Sequence, residues 1–233
     1  TLIVEGLRYH RCDQYARSYQ FRQQWWLNFL RRVGTSDKIN TEAMDSYIRQ
    51  VEFETRGKQR LLMGAAKQMV KLLRKSESAR KRLIQKQMRY IPGIYTDLFE
   101  KYNPSLLVSS TYGWRYDRYI MREAIQRGIK TGTVIVGWDN PSSYGIPCAP
   151  LDFVNCWSDI QKNELVDGSD WEPSSVNVGG IPSYDNYFNG SWLIPREEYF
   201  TKHRLDPERK LISYACSFVT FAPNFRNVDT LAK

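Results

Sequence analysis

The stretch Thr131–Gly145, TGTVIVGWDNPSSYG, constrains the fold more than any other in the chain. Thr133, Val134, Ile135 and Val136 are uncharged and β-branched, the pattern of a strand buried on both faces of a parallel sheet. The composition then flips to Gly137, Trp138, Asp139, Asn140, Pro141, Ser142, Ser143, Tyr144 and Gly145, a polar, turn-forming run. In open α/β sheets ligands sit beyond the carboxyl ends of the strands, where such loops emerge. A carboxylate, an amide, two hydroxyls and an indole gathered there suit a binding site. They equally suit a rigid turn, since Asn-Pro starts turns and Asp caps helices.

The surrounding runs extend the pattern. Leu106–Ser110, Phe153–Trp157 and Val176–Val178 read as further strands. Between them, Arg115–Arg127 reads as a helix with Tyr119, Ile120, Ala124 and Ile125 inward and Gly128 as its stop. Ser158 or Asp159 caps a shorter helix over Ile160–Val166, and Asp167–Asp170 follows as a loop. This alternation predicts an α/β fold with a Rossmann-like parallel sheet and right-handed crossovers over residues 93–205. Pro195 opens another helix, and Asp206-Pro207 begins a linker into residues 206–233. There Leu211–Ala215 reads as the first strand of a second Rossmann-like domain.

Residues 1–92 are different. Helical patterns cover most of 1–33, then 42–54, then a long stretch from Gln59 to Tyr90 broken only by Gly64. Trp25 and Trp26, flanked by arginines, fit either a core stripe or an aromatic anchor at a membrane. The formal net charge is +9, but Arg56–Arg89 alone carries twelve Lys and Arg against one acid, leaving −2 for the rest. A basic amphipathic helix of this kind serves as a solvated face, an anionic-membrane contact or a nucleic-acid contact. No nucleic-acid motif accompanies the charge, so nucleic acid ranks last. Lys67, Lys71, Arg74, Lys75 and Arg82 are the membrane candidates. Each basic side chain near an anionic surface is worth about 1 kcal/mol.

The four cysteines are scattered and form no C-x-x-C pair, so reduced thiols are expected and no metal site or cofactor is. No apolar run is long enough to span a bilayer. The chain starts at Thr1 and stops shortly after a new strand-like run, which reads as an internal piece of a longer protein.

Five segments fall in a recognisable order. Trp138-Asp139-Asn140 follows a strand. Asp152–Ser158 leads into Gln161-Lys162-Asn163-Glu164-Leu165. Val176–Pro182 precedes Tyr184-Asp185-Asn186-Tyr187. Arg196–Phe200 runs through Leu205-Asp206-Pro207 to Leu211–Ser217. Over residues 91–217 this succession resembles GT-B-type glycosyltransferases of surface-polysaccharide and cell-envelope glycan synthesis, in the UDP-glycosyltransferase/glycogen phosphorylase-like superfamily. The V-x-G-x-P-x-x-D segment from Val178 to Asp185 is similar to that of the polyol-phosphate polymerases of teichoic acid synthesis. One departure is Ser143-Tyr144-Gly145, where the family pattern has Ser-Lys-Gly.

The resemblance implies a metal-independent glycosyltransferase that moves a sugar from a nucleotide-sugar donor to a cell-surface glycan or lipid-linked acceptor. It implies Asp139 as the base that takes the acceptor proton. Trp138, Asn140, Ser142 and Ser143 would contact substrate, as would Gly179 and Gly180, and Cys216 and Ser217 would approach the donor phosphates. The expected location is cytoplasmic, at the inner face of the membrane. A nucleotide-sugar epimerase and a non-catalytic scaffold on the same fold are the alternatives.

Overall fold

A computed structural model describes residues 24–114 and 117–213. The chain divides into two compact units, Thr1–Ile181 and Pro182–Lys233.

Among the described residues the first unit opens with four helices: α1 (Trp25–Val33), α2 (Glu42–Glu54), α3 (Lys58–Lys75) and α4 (Glu77–Gln87). Asn40 Oδ1 accepts from the Glu42 amide and starts α2. The long basic stretch is two helices rather than one. Ser76 is extended, and its hydroxyl accepts from the Ala79 amide, capping α4. Arg80 Nη1 donates to the carbonyls of Leu73 and Arg74 at the end of α3, so the break leaves these groups satisfied. Phe29, Leu30 and Val33 meet Met44, Ile48 and Val51 of α2 and Met63, Val70 and Leu73 of α3 in a common apolar core.

The α/β part follows as α5 (Thr96–Tyr102), β1 (Leu106–Ser109), α6 (Asp117–Gln126), β2 (Lys130–Val134), the single turn α7 (Asn140–Ser143), β3 (Phe153–Cys156), α8 (Asp159–Ser169) and β4 (Val176–Val178). The four strands form an all-parallel sheet in the order β1-β2-β3-β4. Consecutive neighbours joined by crossovers of one hand put their helices on one face. Accordingly Leu107 packs with Met121 of α6, while Val154, Cys156 and Val176 pack with Leu165 of α8. The opposite face, carrying Leu106, Val108, Val134, Phe153 and Asn155, is exposed or half-buried.

That arrangement corrects the expectation of a strand at 133–136 buried on both faces. The strand starts at Lys130, where Asp152 Oδ2 accepts from the Thr131 amide at 2.6 Å. It ends after Val134 because the Trp157 indole donates to the Ile135 carbonyl at 2.6 Å, and Val136 is 58% exposed. Gly132 leaves room for the Phe153 ring, which a Cβ there would strike.

Two further expectations shift. The helix after β3 runs on through Asp167 and Gly168 to Ser169, because Gly168 sits against Thr35 and Ile39 and its carbonyl accepts from the Ser36 amide at 2.8 Å. The loop after β2 contains one helical turn. Ser158 caps α8 as expected, accepting from the Gln161 amide. Helix α6 buries Tyr119 and Ala124, and also Arg122 and Glu123, which its apolar pattern did not suggest.

The second unit is described by its residues 182–213 and contains α9 (Asp185–Phe188) and α10 (Arg196–His203). Pro195 is the N-cap of α10, and Phe200 is its buried residue. Leu211–Ser213 are not in a strand; the remainder of that expected strand, with Cys216 and Ser217, lies outside the described residues, as do residues 1–23.

Candidate functional site

The carboxyl edge of the sheet carries the loop expected to be functional. Trp138 is 75% exposed, and Asp139 beside it is half-buried. Asp139 Oδ2 accepts from the Ser143 hydroxyl at 3.2 Å, and the Ser142 hydroxyl donates to the Asp139 carbonyl at 3.1 Å. Three of the expected site residues are thus bonded to one another around α7. Gln161 Nε2 donates to the carbonyls of Gly137 and Trp138, fixing the loop to α8.

Asn140 is 2% exposed. Its carbonyl accepts from the Tyr112 hydroxyl at 2.7 Å, whereas its Nδ2 is buried with no partner. Burial pushes the Tyr112 phenol well above its usual range, so it is a fixed donor and not an acid at neutral pH. Gly179 and Gly180 leave β4 at the same edge. The Gly179 amide donates to the Cys156 carbonyl, and Gly180 takes a φ of +78° with open space around it.

A cleft of about 210 Å³ opens next to this loop, between α1, α2 and the chain leaving β1. Its approach was not legible as a motif, because its residues come from positions 25 to 118. One wall is Trp25 stacked on Phe29, with ring centroids 5.5 Å apart and planes 7° apart. The other is Trp114, stacked on Tyr144 at 4.9 Å. Between walls, the Arg32 guanidinium lies 3.6 Å from the Tyr47 ring centroid and 4.8 Å from that of Trp114.

Arg31 is 3% exposed and donates to the carbonyls of Tyr144 and Ile146, which ties α1 to the end of the β2 loop. Burial lowers its pKa to about 10, and Arg118 and Arg122 add to that lowering. No carboxylate lines the cleft among the described residues.

Burial disfavours the thiolate at both described cysteines. Cys148 and Cys156 are buried free thiols, and burial raises both. Among the described residues no group of three His, Cys, Asp or Glu could hold a metal ion. No helix of the described residues is long and apolar enough to cross a membrane.

The membrane candidates separate into two kinds. Arg74 Nη2 lies 2.8 Å from Asp45, and its Nε donates to the Val33 carbonyl, so it joins helices. Lys67 pairs with Glu52. Lys71, Lys75 and Arg82 are exposed. Lys71 and Lys75 share α3 with Leu62, Met69 and Leu72, each at least half exposed, whereas Arg82 lies on α4.

Comparison with protein-family models, curated proteins and solved structures found no match.

Proposed function

We propose that the chain is the acceptor-side part of a GT-B-type, metal-independent glycosyltransferase. It transfers a sugar from a nucleotide-sugar donor to a cell-surface glycan or lipid-linked acceptor. The observation that carries this reading is the convergence at one sheet edge. The exposed indole of Trp138, the carboxylate of Asp139 and the glycine pair after β4 all leave the carboxyl ends of parallel strands. In this reading Asp139 takes the acceptor hydroxyl proton as that oxygen bonds to the sugar's anomeric carbon, and the nucleoside diphosphate leaves with the electron pair of the broken anomeric C–O bond. Cys216 and Ser217 remain the proposed donor contacts.

Asp139→Ala should lower turnover of a responsive nucleotide sugar by about 100-fold or more, the usual scale of general-base loss. The assay is release of nucleoside diphosphate across a panel of nucleotide sugars, with thermal melting to confirm folding. The bond from Ser143 to Asp139 favours a second reading, in which this carboxylate only braces the α7 turn on a non-catalytic scaffold. Unchanged turnover in a folded Asp139→Ala protein would leave that reading standing.

The same proposal places α3 and α4 on an anionic membrane surface, through the exposed Lys71 and Lys75 of α3 and Arg82 of α4, with the exposed Leu62, Met69 and Leu72 of α3. Reversing these three charges to Glu should weaken binding to phosphatidylserine vesicles by about 100-fold or more, at about 1 kcal/mol per basic group. Arg74 and Lys67 are left intact because their ion pairs hold helices together. Equal vesicle binding by the reversed protein removes the membrane assignment.

A further inference from the structure

The cleft between α1, α2 and Trp114 is built from features that a small ligand would complete. Arg31 and Arg32 each bury an Nε with no partner, and Asn28 buries an unpartnered Oδ1. All three residues line the cleft. The two guanidiniums call for an oxyanion, since arginine's planar fork matches phosphate and carboxylate geometry. The Asn28 carbonyl oxygen calls for a donor, such as a hydroxyl. The flat Trp25 and Trp114 rings offer apolar walls that suit the C–H face of a sugar ring.

Size narrows the ligand. The cleft's 210 Å³ falls below the range of about 300–1,000 Å³ typical of pockets for drug-sized molecules. One phosphorylated ring fits this space better than a whole nucleotide sugar.

We propose that this cleft is a binding site for a sugar phosphate, with Arg31 and Arg32 on the phosphate, Asn28 on a ring hydroxyl and Trp25 along the ring face. The site stands on its own geometry and does not require that the chain transfer sugars. An anion there also offsets a charge that the fold otherwise leaves buried. The depressed pKa of Arg31 agrees with the absence of a carboxylate among the described residues that line the cleft.

The test uses the full chain and three probes: glucose 1-phosphate, inorganic phosphate and glucose. Intrinsic tryptophan fluorescence and calorimetry follow binding, since two indoles form the walls. Glucose 1-phosphate should bind at least tenfold more tightly than either other probe. Arg32→Gln should weaken it at least tenfold, and Trp25→Ala should weaken it while bringing its affinity close to that of inorganic phosphate. Arg32 and Trp25 are chosen because Arg31 also anchors the Tyr144–Ile146 backbone and its loss risks folding. Thermal melting of each ligand-free variant confirms the fold. Equal affinity for phosphate and glucose 1-phosphate would reduce the cleft to a bare anion site and overturn the sugar assignment. Unchanged affinity in folded Arg32→Gln, or no binding of glucose 1-phosphate, overturns the site itself. Glycosyl-transfer assays on Arg32→Gln are scored separately, so failure of the transferase reading leaves this result interpretable.

Discussion

Asp170→Ala should lower the melting temperature by roughly 10 °C, because removing one member of a buried ion pair costs about 3–5 kcal/mol in a chain of this size. The Arg80 guanidinium meets Asp170 through two bonds, Nε to Oδ2 and Nη2 to Oδ1, both 2.6 Å. The side chains are 4% and 7% exposed. Deleting the carboxylate strands a cation where water cannot solvate it. Asp170→Asn should cost less, since the amide oxygen still accepts one of the two bonds. Arg80→Met should cost more than Asp170→Asn. It leaves a buried carboxylate and also frees the Leu73 and Arg74 carbonyls that Arg80 caps. The double change Arg80→Met/Asp170→Leu should recover only part of the loss, because the carbonyls stay uncapped even when no charge remains. Chemical denaturation of the four variants checks the order. A double variant as stable as the wild type would show that the carbonyl caps contribute nothing.

The second large effect is expected at Gly145. Its φ of +76° disfavours any side chain, and a Cβ there would lie 2.5 Å from the Arg32 carbonyl oxygen and closer still to that of Arg31. The end of α1 and the end of the β2 loop approach backbone to backbone, and the Arg31 carbonyl accepts from the Ile146 amide at 3.1 Å. Gly145→Ala therefore combines left-handed strain with an overpacked contact, for a loss of about 3 kcal/mol or more. Gly180→Ala is the internal control. It has nearly the same φ of +78° but nothing within 4 Å, so only the strain of about 1–2 kcal/mol applies. The difference between the two variants in urea melts isolates the close approach. If both cost the same, α1 does not press on Gly145 in solution.

These two positions also show where sequence reading stops. The strands at 106–109, 153–156 and 176–178 were legible because short β-branched or apolar runs end in turn residues. The caps at Ser158 and Gly128 were legible because capping is local chemistry. The break at Ser76 was not. The apolar spacing continues across it without glycine or proline, and the residues that satisfy the broken helix include Arg80, four positions on. Val136 matched a strand in composition, yet the strand ends two residues earlier, where Trp157 at another strand's end takes the Ile135 carbonyl. The loop from Trp138 to Ser143 was found from composition, but its internal hydrogen bonds were not. The arginine cleft left no local signal at all. Trp25 and Arg32 read as one helix's stripe and wet face, and only the turn of the chain that brings Trp114 beside them makes a site.

The paired contacts at Arg80, Gly145 and Gly168 also fix an orientation. They join the helical region to the α/β part at three separate places: α4 through an ion pair, the end of α1 through a backbone contact, and the chain after α1 through a carbonyl bond. The basic helix α4 is therefore tied to the α/β part directly, and α1 packs on both. Any surface that seizes Lys71, Lys75 and Arg82 sets the heading of the sheet's carboxyl edge as well, as a bracket sets the angle of a shelf. Attachment and presentation become a single geometric event within this unit, and lengthening the Ser76 junction by a residue would be felt at both ends.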